Sequence, residues 1–270
     1  MFIRKLSPEI ANQIAAGEVI ERPANACKEL VENALDAGAR RIEIDIEEGG
    51  KKLIRVRDDG SGMSGEQAVL SLQRHATSKL QTVDDLYAIR TLGFRGEALP
   101  SIAAVSRFEM TTRTESEEAG THLLVEAGMV SDISETGCVP GTEVSVHNLF
   151  FNTPARFKFL KSDSAEAARI SEMVGHLALA YPRVAFRLRH NGNETLRAEA
   201  LDSASGNGGS LNAIVSVLGR EIARQMLPIV ASSEAWSNQA SSHMSTHATL
   251  EGQVQESNEV QVSGFVGRPQ

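Results

Sequence analysis

The sequence predicts an α/β fold in which helices alternate with a mostly antiparallel set of strands, and three observations predict it. The stretch from Pro23 to Gly38 reads as a single amphipathic helix. Residues Arg41 to Glu47 alternate strictly between charged and apolar side chains, and Leu53 to Arg57 follow across a Gly49-Gly50 turn, which is the layout of an antiparallel hairpin. Further strands at about 107–112, 121–127 and 143–148 form a meander, and a long helix to about Ala180 follows them.

Composition bounds the answer. At 270 residues the chain exceeds one ordinary domain and is short for two, so one complete domain and part of another are expected. Hydrophobic content is 41% and charged content 23%, which suit a globular protein, while 4% aromatics makes the core aliphatic. A net charge of −8 argues against non-specific nucleic-acid binding by the whole surface, so any DNA contact must be local. Two cysteines, Cys27 and Cys138, provide neither a disulfide framework nor a metal site and suit a reducing compartment. No apolar run reaches the roughly 20 residues that span a bilayer, and the first residues lack a signal-peptide core, so a cytoplasmic protein is expected.

The elements follow in order. Residues 1–20 form an apolar arm with a short helix from Pro8 to Ala16 that stops at Gly17. Pro23 suits a first helical turn and Gly38 a helix stop. Between them Cys27, Leu30, Val31, Ala34 and Leu35 make an apolar stripe, and Glu29, Glu32, Asn33 and Asp36 make an acidic one. The acidic stripe reads either as a solvated face or as the lining of a site. Ser64 with Gln67 is a capping box opening a helix to about Arg74. Another helix spans about Asp84 to Thr91, and Gly93-Phe94-Arg95-Gly96 leads into one that runs past Pro100 to Val105. Ser162 caps the long helix, and Val184 to His190 is again a strand, so the first domain, 21–202, closes near Ala200. A Ser/Gly-rich linker, 203–210, precedes a partial second domain, 211–270, with a helix at Leu211–Leu218, a strand from Met226 and a last strand from Val260. Residues 232–259 are a low-complexity insertion by composition.

The candidate chemistry lies in the loops. Gly60-Ser61-Gly62-Met63-Ser64-Gly65 fits a dinucleotide-binding glycine pattern after a strand, but Asp58 and Asp59 immediately before it would repel a pyrophosphate, and that strand is one arm of a hairpin. Acid before glycine suits an adenine amino group on Asp58, with Gly60 and Gly62 admitting the base; a plain Asp-Gly turn is the alternative. No P-loop is present. Phosphates would need Thr77, Ser78 and Lys79 together with the backbone donors of Gly93 to Gly96. His75 reads as a hydrogen-bonding residue rather than a metal ligand.

Taken together, Glu29-x-x-x-Asn33, Asp58-x-Gly60-x-Gly62, Gly93-Phe94-Arg95-Gly96-Glu97-Ala98-Leu99 and Gly141-Thr142 resemble the four nucleotide-binding motifs of the GHKL ATPases. Within that superfamily Asn12 to Val19, Lys28 to Gly38, Arg74 to Lys79, the run from Gly93 to Leu99 and Asn152 to Arg156 resemble the MutL mismatch-repair family. The resemblance is close over about residues 5–200. It implies a Bergerat-type two-layer sandwich, a mixed and mostly antiparallel sheet with helices on one face, followed by a ribosomal-S5-like domain that is incomplete here.

The resemblance also implies roles. Glu29 would be the general base, Asn33 the Mg²⁺ ligand, and Asp58 the adenine reader, with Gly60, Gly62 and Met63 shaping the base pocket. Thr77, Ser78, Lys79, Gly93, Phe94, Arg95, Gly96 and Leu99 would belong to a lid over the phosphates of ATP, and Thr142 would lie near the base. The arm from Ile10 to Val19 would cross to a second subunit when ATP binds. Partners would be a mismatch-recognition protein, a downstream nuclease or helicase, and DNA, the last bound weakly through Arg156, Lys158 and Lys161. The family's second domain supplies a lysine to the γ-phosphate, and this chain ends before it, so a nucleotide-holding module with impaired hydrolysis is the competing expectation. A histidine-kinase reading lacks a phospho-accepting histidine helix.

Overall fold

A computed structural model describes residues 16–79, 91–93, 96–200, 214–232 and 261–267. Helix α1 (Pro23–Asp36) forms where its sequence predicts it: Pro23 sits in the first turn, and the Asn25 side chain accepts the Arg22 N–H (3.1 Å). Its apolar stripe is buried at Ala26, Cys27, Leu30, Val31 and Ala34. Burial pushes the Cys27 thiol up to about 12, so it packs as a small apolar group, and both cysteines are free.

Strand β1 (Arg41–Glu47) presents Ile42, Ile44 and Ile46 to the core, and β2 (Leu53–Asp58) pairs with it antiparallel. Each fully buried isoleucine contributes about 1.5–3 kcal/mol of apolar burial. Helix α2 (Gly65–Leu70) opens on the expected box, with the Gln67 N–H on Ser64 Oγ (3.4 Å) and the Ser64 N–H on Gln67 Oε1 (3.3 Å). It stops short of the expected Arg74. Leu72 and Gln73 bond back only three residues, to Val69 and Leu70, and Ser71 Oγ donates to the Ala68 carbonyl, so the helix tightens into turns. Helix α3 (Ala98–Ala104) carries Pro100 in its first turn, where no N–H is needed.

Strands β3 (Arg107–Arg113), β4 (Gly120–Glu126) and β6 (Gly141–His147) lie where alternation places them. Strand β5 (Met129–Thr136), helix α4 (Pro154–Phe159) and strand β8 (Asn193–Ala198) add to the elements that the sequence predicts. Helix α5 (Asp163–Ala180) is capped by Ser162, and β7 (Ala185–His190) completes the set.

The eight strands form one sheet in the order β5-β4-β3-β6-β2-β1-β7-β8. All neighbours are antiparallel except β1 with β7. One apolar cluster joins the helices to the sheet. The alternate residues of β1 and β7 carry charge instead: Arg189 meets Asp45 (2.7 Å), and Arg187 meets Glu194 of β8 (2.8 Å). Among the described residues helices therefore cover one face, as the two-layer expectation requires.

The later region holds helical residues at 214–218 and Arg220–Arg224, and an antiparallel pair of strands, Met226–Ser232 and Gln261–Gly267. The expected linker, all of the insertion except Ser232, nearly all of the expected helix from Asp84 and the arm before Ala16 lie outside the described residues. Among the described residues no helix is long and apolar enough to cross a membrane.

Candidate functional site

A cleft of about 1,320 Å³ opens beside α1, roomier than the usual 300–1,000 Å³ of small-molecule pockets. Glu29, Asn33 and Asp36 line it from α1, so the acidic stripe faces a cavity rather than bulk solvent. Asp58, Gly62, Met63, Thr77, Ser78, Lys79, Gly93, Gly96, Leu99 and Thr142 line it as well. Phe94 and Arg95 lie outside the described residues. Gly60 is not on the cleft surface. It supports the site from behind, donating its N–H to Asp58 Oδ1 (2.8 Å) and packing where a methyl group would strike Ala37.

The two adjacent acids divide their work. Asp59 Oδ1 accepts the backbone N–H groups of Arg40 and Arg41 (2.7 and 2.8 Å), so it ties down the start of β1. Asp58 lines the cleft. Burial pushes its carboxyl up to about 6, against the N–H groups of Gly60 and Thr142, which lower it, while the Asp59 charge raises it further. Two glycines shape this floor. Gly62 has φ 65°, and a β-carbon there would overlap the Arg113 carbonyl; Gly141 has φ 121°, and a β-carbon there would overlap the Asp58 carbonyl.

Sequence reasoning missed Thr112. Its side chain is buried, its Oγ1 accepts the Met63 N–H (2.9 Å), and it lies 3.1 Å from the Gly141 carbonyl and 3.0 Å from Thr142 Oγ1. One hydroxyl thus ties two strands of the floor, β3 and β6, to the loop after β2. The signal was a threonine continuing the core-facing series Phe108 and Met110 along β3. Thr112→Val keeps the shape and strands the Met63 N–H, so stability should fall by about 1–3 kcal/mol. Urea unfolding of the two chains measures the difference.

Asp36 has a role that its place on the acidic stripe does not reveal. Its side chain is nearly buried and accepts Lys79 Nζ (2.6 Å) and the backbone N–H groups of Leu92 and Gly93 (3.0 and 3.2 Å). Lys79 also donates to Asn33 Oδ1 (2.9 Å). The like charges of α1 are therefore offset by lysines: Lys79 at Asp36, and Lys28 at Glu32 (2.7 Å), with Glu29 farther from Lys28 at 3.9 Å. His75 has φ 64°; its N–H donates to the Gly96 carbonyl (3.2 Å), and its ring lies 3.4 Å from Glu97 Oε1. That is a structural clasp, and among the described residues no group of three His, Cys, Asp or Glu side chains could hold a metal ion.

Arg156 and Lys158 lie in the last turn of α4, with Lys161 just beyond, away from the cleft lining. Lys158 and Lys161 are exposed, whereas Arg156 is half-buried.

A family model described as a histidine kinase-, DNA gyrase B- and HSP90-like ATPase matches residues 20–139. A solved structure described as the Aquifex aeolicus MutL ATPase domain complexed with ADP is 33% identical, with a TM-score of 0.60 over 79% of this chain and 73% of that one. The chain belongs to the MutL family. Its fold is accordingly the GHKL ATPase fold. The DNA mismatch repair protein MutL of Desulforudis audaxviator is 56% identical over 227 residues, which is 84% of this chain and 39% of that protein. The MutL of Symbiobacterium thermophilum is 48% identical over 267 residues, 99% of this chain and 37% of that protein. The chain thus spans well under half the length of these MutL proteins. The N-terminal domain of a DNA repair protein also superposes, at 27% identity and a TM-score of 0.68.

Proposed function

We propose that this chain binds and hydrolyses ATP in the cleft beside α1 and uses the cycle as a conformational switch in DNA mismatch repair. One observation carries the reading: Glu29 and Asn33 of α1 share a single cleft with the desolvated carboxyl of Asp58. The donor set fits an adenine nucleotide. Asp58 accepts the exocyclic amino group, Gly62 and Met63 admit the base, and Lys79 with the Gly93 backbone stands at the phosphate end.

The residues also fit Mg²⁺, which takes few protein ligands and keeps phosphate and water oxygens around it. Asn33 Oδ1, a hard oxygen on the cleft wall that accepts the Lys79 ammonium here, would be the ligand. When bound, the ion neutralises charge on the phosphate oxygens during transfer. Glu29 takes the proton of the attacking water, and Asp36 holds Lys79 and Gly93 against the last turn of α1, with Lys79 beside Asn33. Thr77, Ser78, Gly96 and Leu99, with Phe94 and Arg95 between them in sequence, close over the phosphates, and Thr142 supports the base.

Family membership supports the wider role. The chain couples a mismatch-recognition protein to a downstream nuclease or helicase in the cytoplasm, self-associates through its arm when ATP binds, and touches DNA weakly through the cluster of Arg156, Lys158 and Lys161. Such contacts would weaken steeply with salt. Calorimetric titration with ATP and with GTP tests the nucleotide reading. ATP should bind at least about tenfold tighter, since guanine presents a carbonyl to Asp58 where adenine presents a donor. Equal affinities would contradict it.

A further inference from the structure

The root of the N-terminal arm is braced to the segment between β6 and β7 at two points. Ala16 and Ile20 are fully buried, and the Ile20 N–H donates to the Ala16 carbonyl (2.8 Å). Between them Gly17 lies directly against the Arg156 guanidinium, so that a β-carbon at Gly17 would fall on Cζ and both terminal nitrogens. The second point is Arg22, whose Nη1 lies 3.7 Å from Oε1 of Glu166, a fully buried carboxylate whose Oε1 also accepts the Lys161 N–H (3.0 Å). The two residues between these points that matter most are Glu18 and Val19, because both line the nucleotide cleft together with Lys28 and Glu29.

We infer that Arg156 is a positioning residue of the nucleotide site: by packing on Gly17 it holds Glu18 and Val19 in place as a wall of the cleft. The inference rests on the nucleotide-binding reading given above. It takes Arg156 out of the DNA-contacting cluster and leaves Lys158 and Lys161 there. A planar guanidinium lies flat on the backbone of a residue without a side chain, whereas a lysine ammonium would keep the charge and lose that surface. Glycine at position 17 is the matching half, since any side chain would displace the guanidinium.

A double-mutant cycle on the intact chain tests the pair, with Arg156→Lys, Arg156→Ala, Gly17→Ala and the combination of Arg156→Ala with Gly17→Ala. Three quantities are read: ADP affinity by calorimetry, hydrogen exchange at the Ile20 amide without nucleotide, and the salt dependence of binding to a single-stranded oligonucleotide. Arg156→Lys and Gly17→Ala should each weaken ADP about tenfold and speed Ile20 exchange, and the combination should be no worse than the worse single change. The three atoms nearest the methyl of Gly17→Ala all belong to the end of a flexible side chain, so that variant should fold. The oligonucleotide salt slope should not change in Arg156→Ala. Wild-type ADP affinity and Ile20 exchange in Arg156→Lys would overturn the inference, as would additive effects or a reduced salt slope in Arg156→Ala. If the native chain fails to bind ADP, the nucleotide reading falls; unchanged Ile20 exchange then still overturns the brace, and faster exchange leaves Arg156 as the residue that holds the arm.

Discussion

Glu29→Ala should lower single-turnover ATP hydrolysis by about 100- to 10,000-fold while nucleotide affinity stays within a few fold. The size follows from removing a general base, and the split between binding and turnover follows from where Glu29 stands. It lines the cleft one helical turn before Asn33, and the Lys28 ammonium lies nearer Glu32 (2.7 Å) than Glu29 (3.9 Å). A base that acts only on the attacking water contributes to the transition state and little to the bound nucleotide. Rapid mixing of excess chain with ATP and Mg²⁺, followed by quantification of phosphate, measures the rate; unchanged hydrolysis would remove Glu29 from this role.

Asp58→Asn should weaken adenine nucleotides by about tenfold or more, because a hydrogen bond to a charged acceptor is worth about 1.5–3 kcal/mol and one to a neutral acceptor about 0.5–1.5 kcal/mol. The fold should not suffer. Burial raises the Asp58 carboxyl from 3.8 to about 6, so above pH 6 the folded chain carries a buried charge that the unfolded chain would keep in water. As pH falls from about 6 towards 3.8 the folded chain takes up the proton first, and this unfavourable contribution is relieved. Asp58→Asn should therefore be neutral or stabilising at pH 7.5, with the difference shrinking towards pH 4, as urea unfolding at the two pH values would show. Nucleotide affinity of the native chain should decline as pH drops through about 6, while that of the variant should stay flat there. A variant that binds ATP as well as the native chain would disprove the adenine contact.

Much of the site was legible because its residues are polar where a packed element wants none. Glu29 and Asn33 stood out on an amphipathic helix, and Asp58 stood out against the glycines after it. The sandwich was legible for a related reason, since α1, β1 and β2 each bury one face and so carry strong periodicity. Strand β5 carries none. All but its last residue are exposed, and the outer strand β8 buries only Leu196 and Ala198 on one face, too few to read as an alternation. Thr112 and Asp36 were illegible for a different reason. Their partners lie far along the chain: 49 residues separate Thr112 from Met63, and 43 and 57 separate Asp36 from Lys79 and Gly93. Arg156 looked like its basic neighbours because nothing in its local sequence points to Gly17.

The most direct test of the central claim is single-turnover hydrolysis by the intact chain, with chain in excess over ATP and Mg²⁺ present. Near-stoichiometric release of phosphate that disappears on chelating the metal is the predicted result. Nucleotide that binds tightly and is recovered as ATP after many dissociation times would contradict a catalytic cleft and leave a nucleotide-holding module in its place.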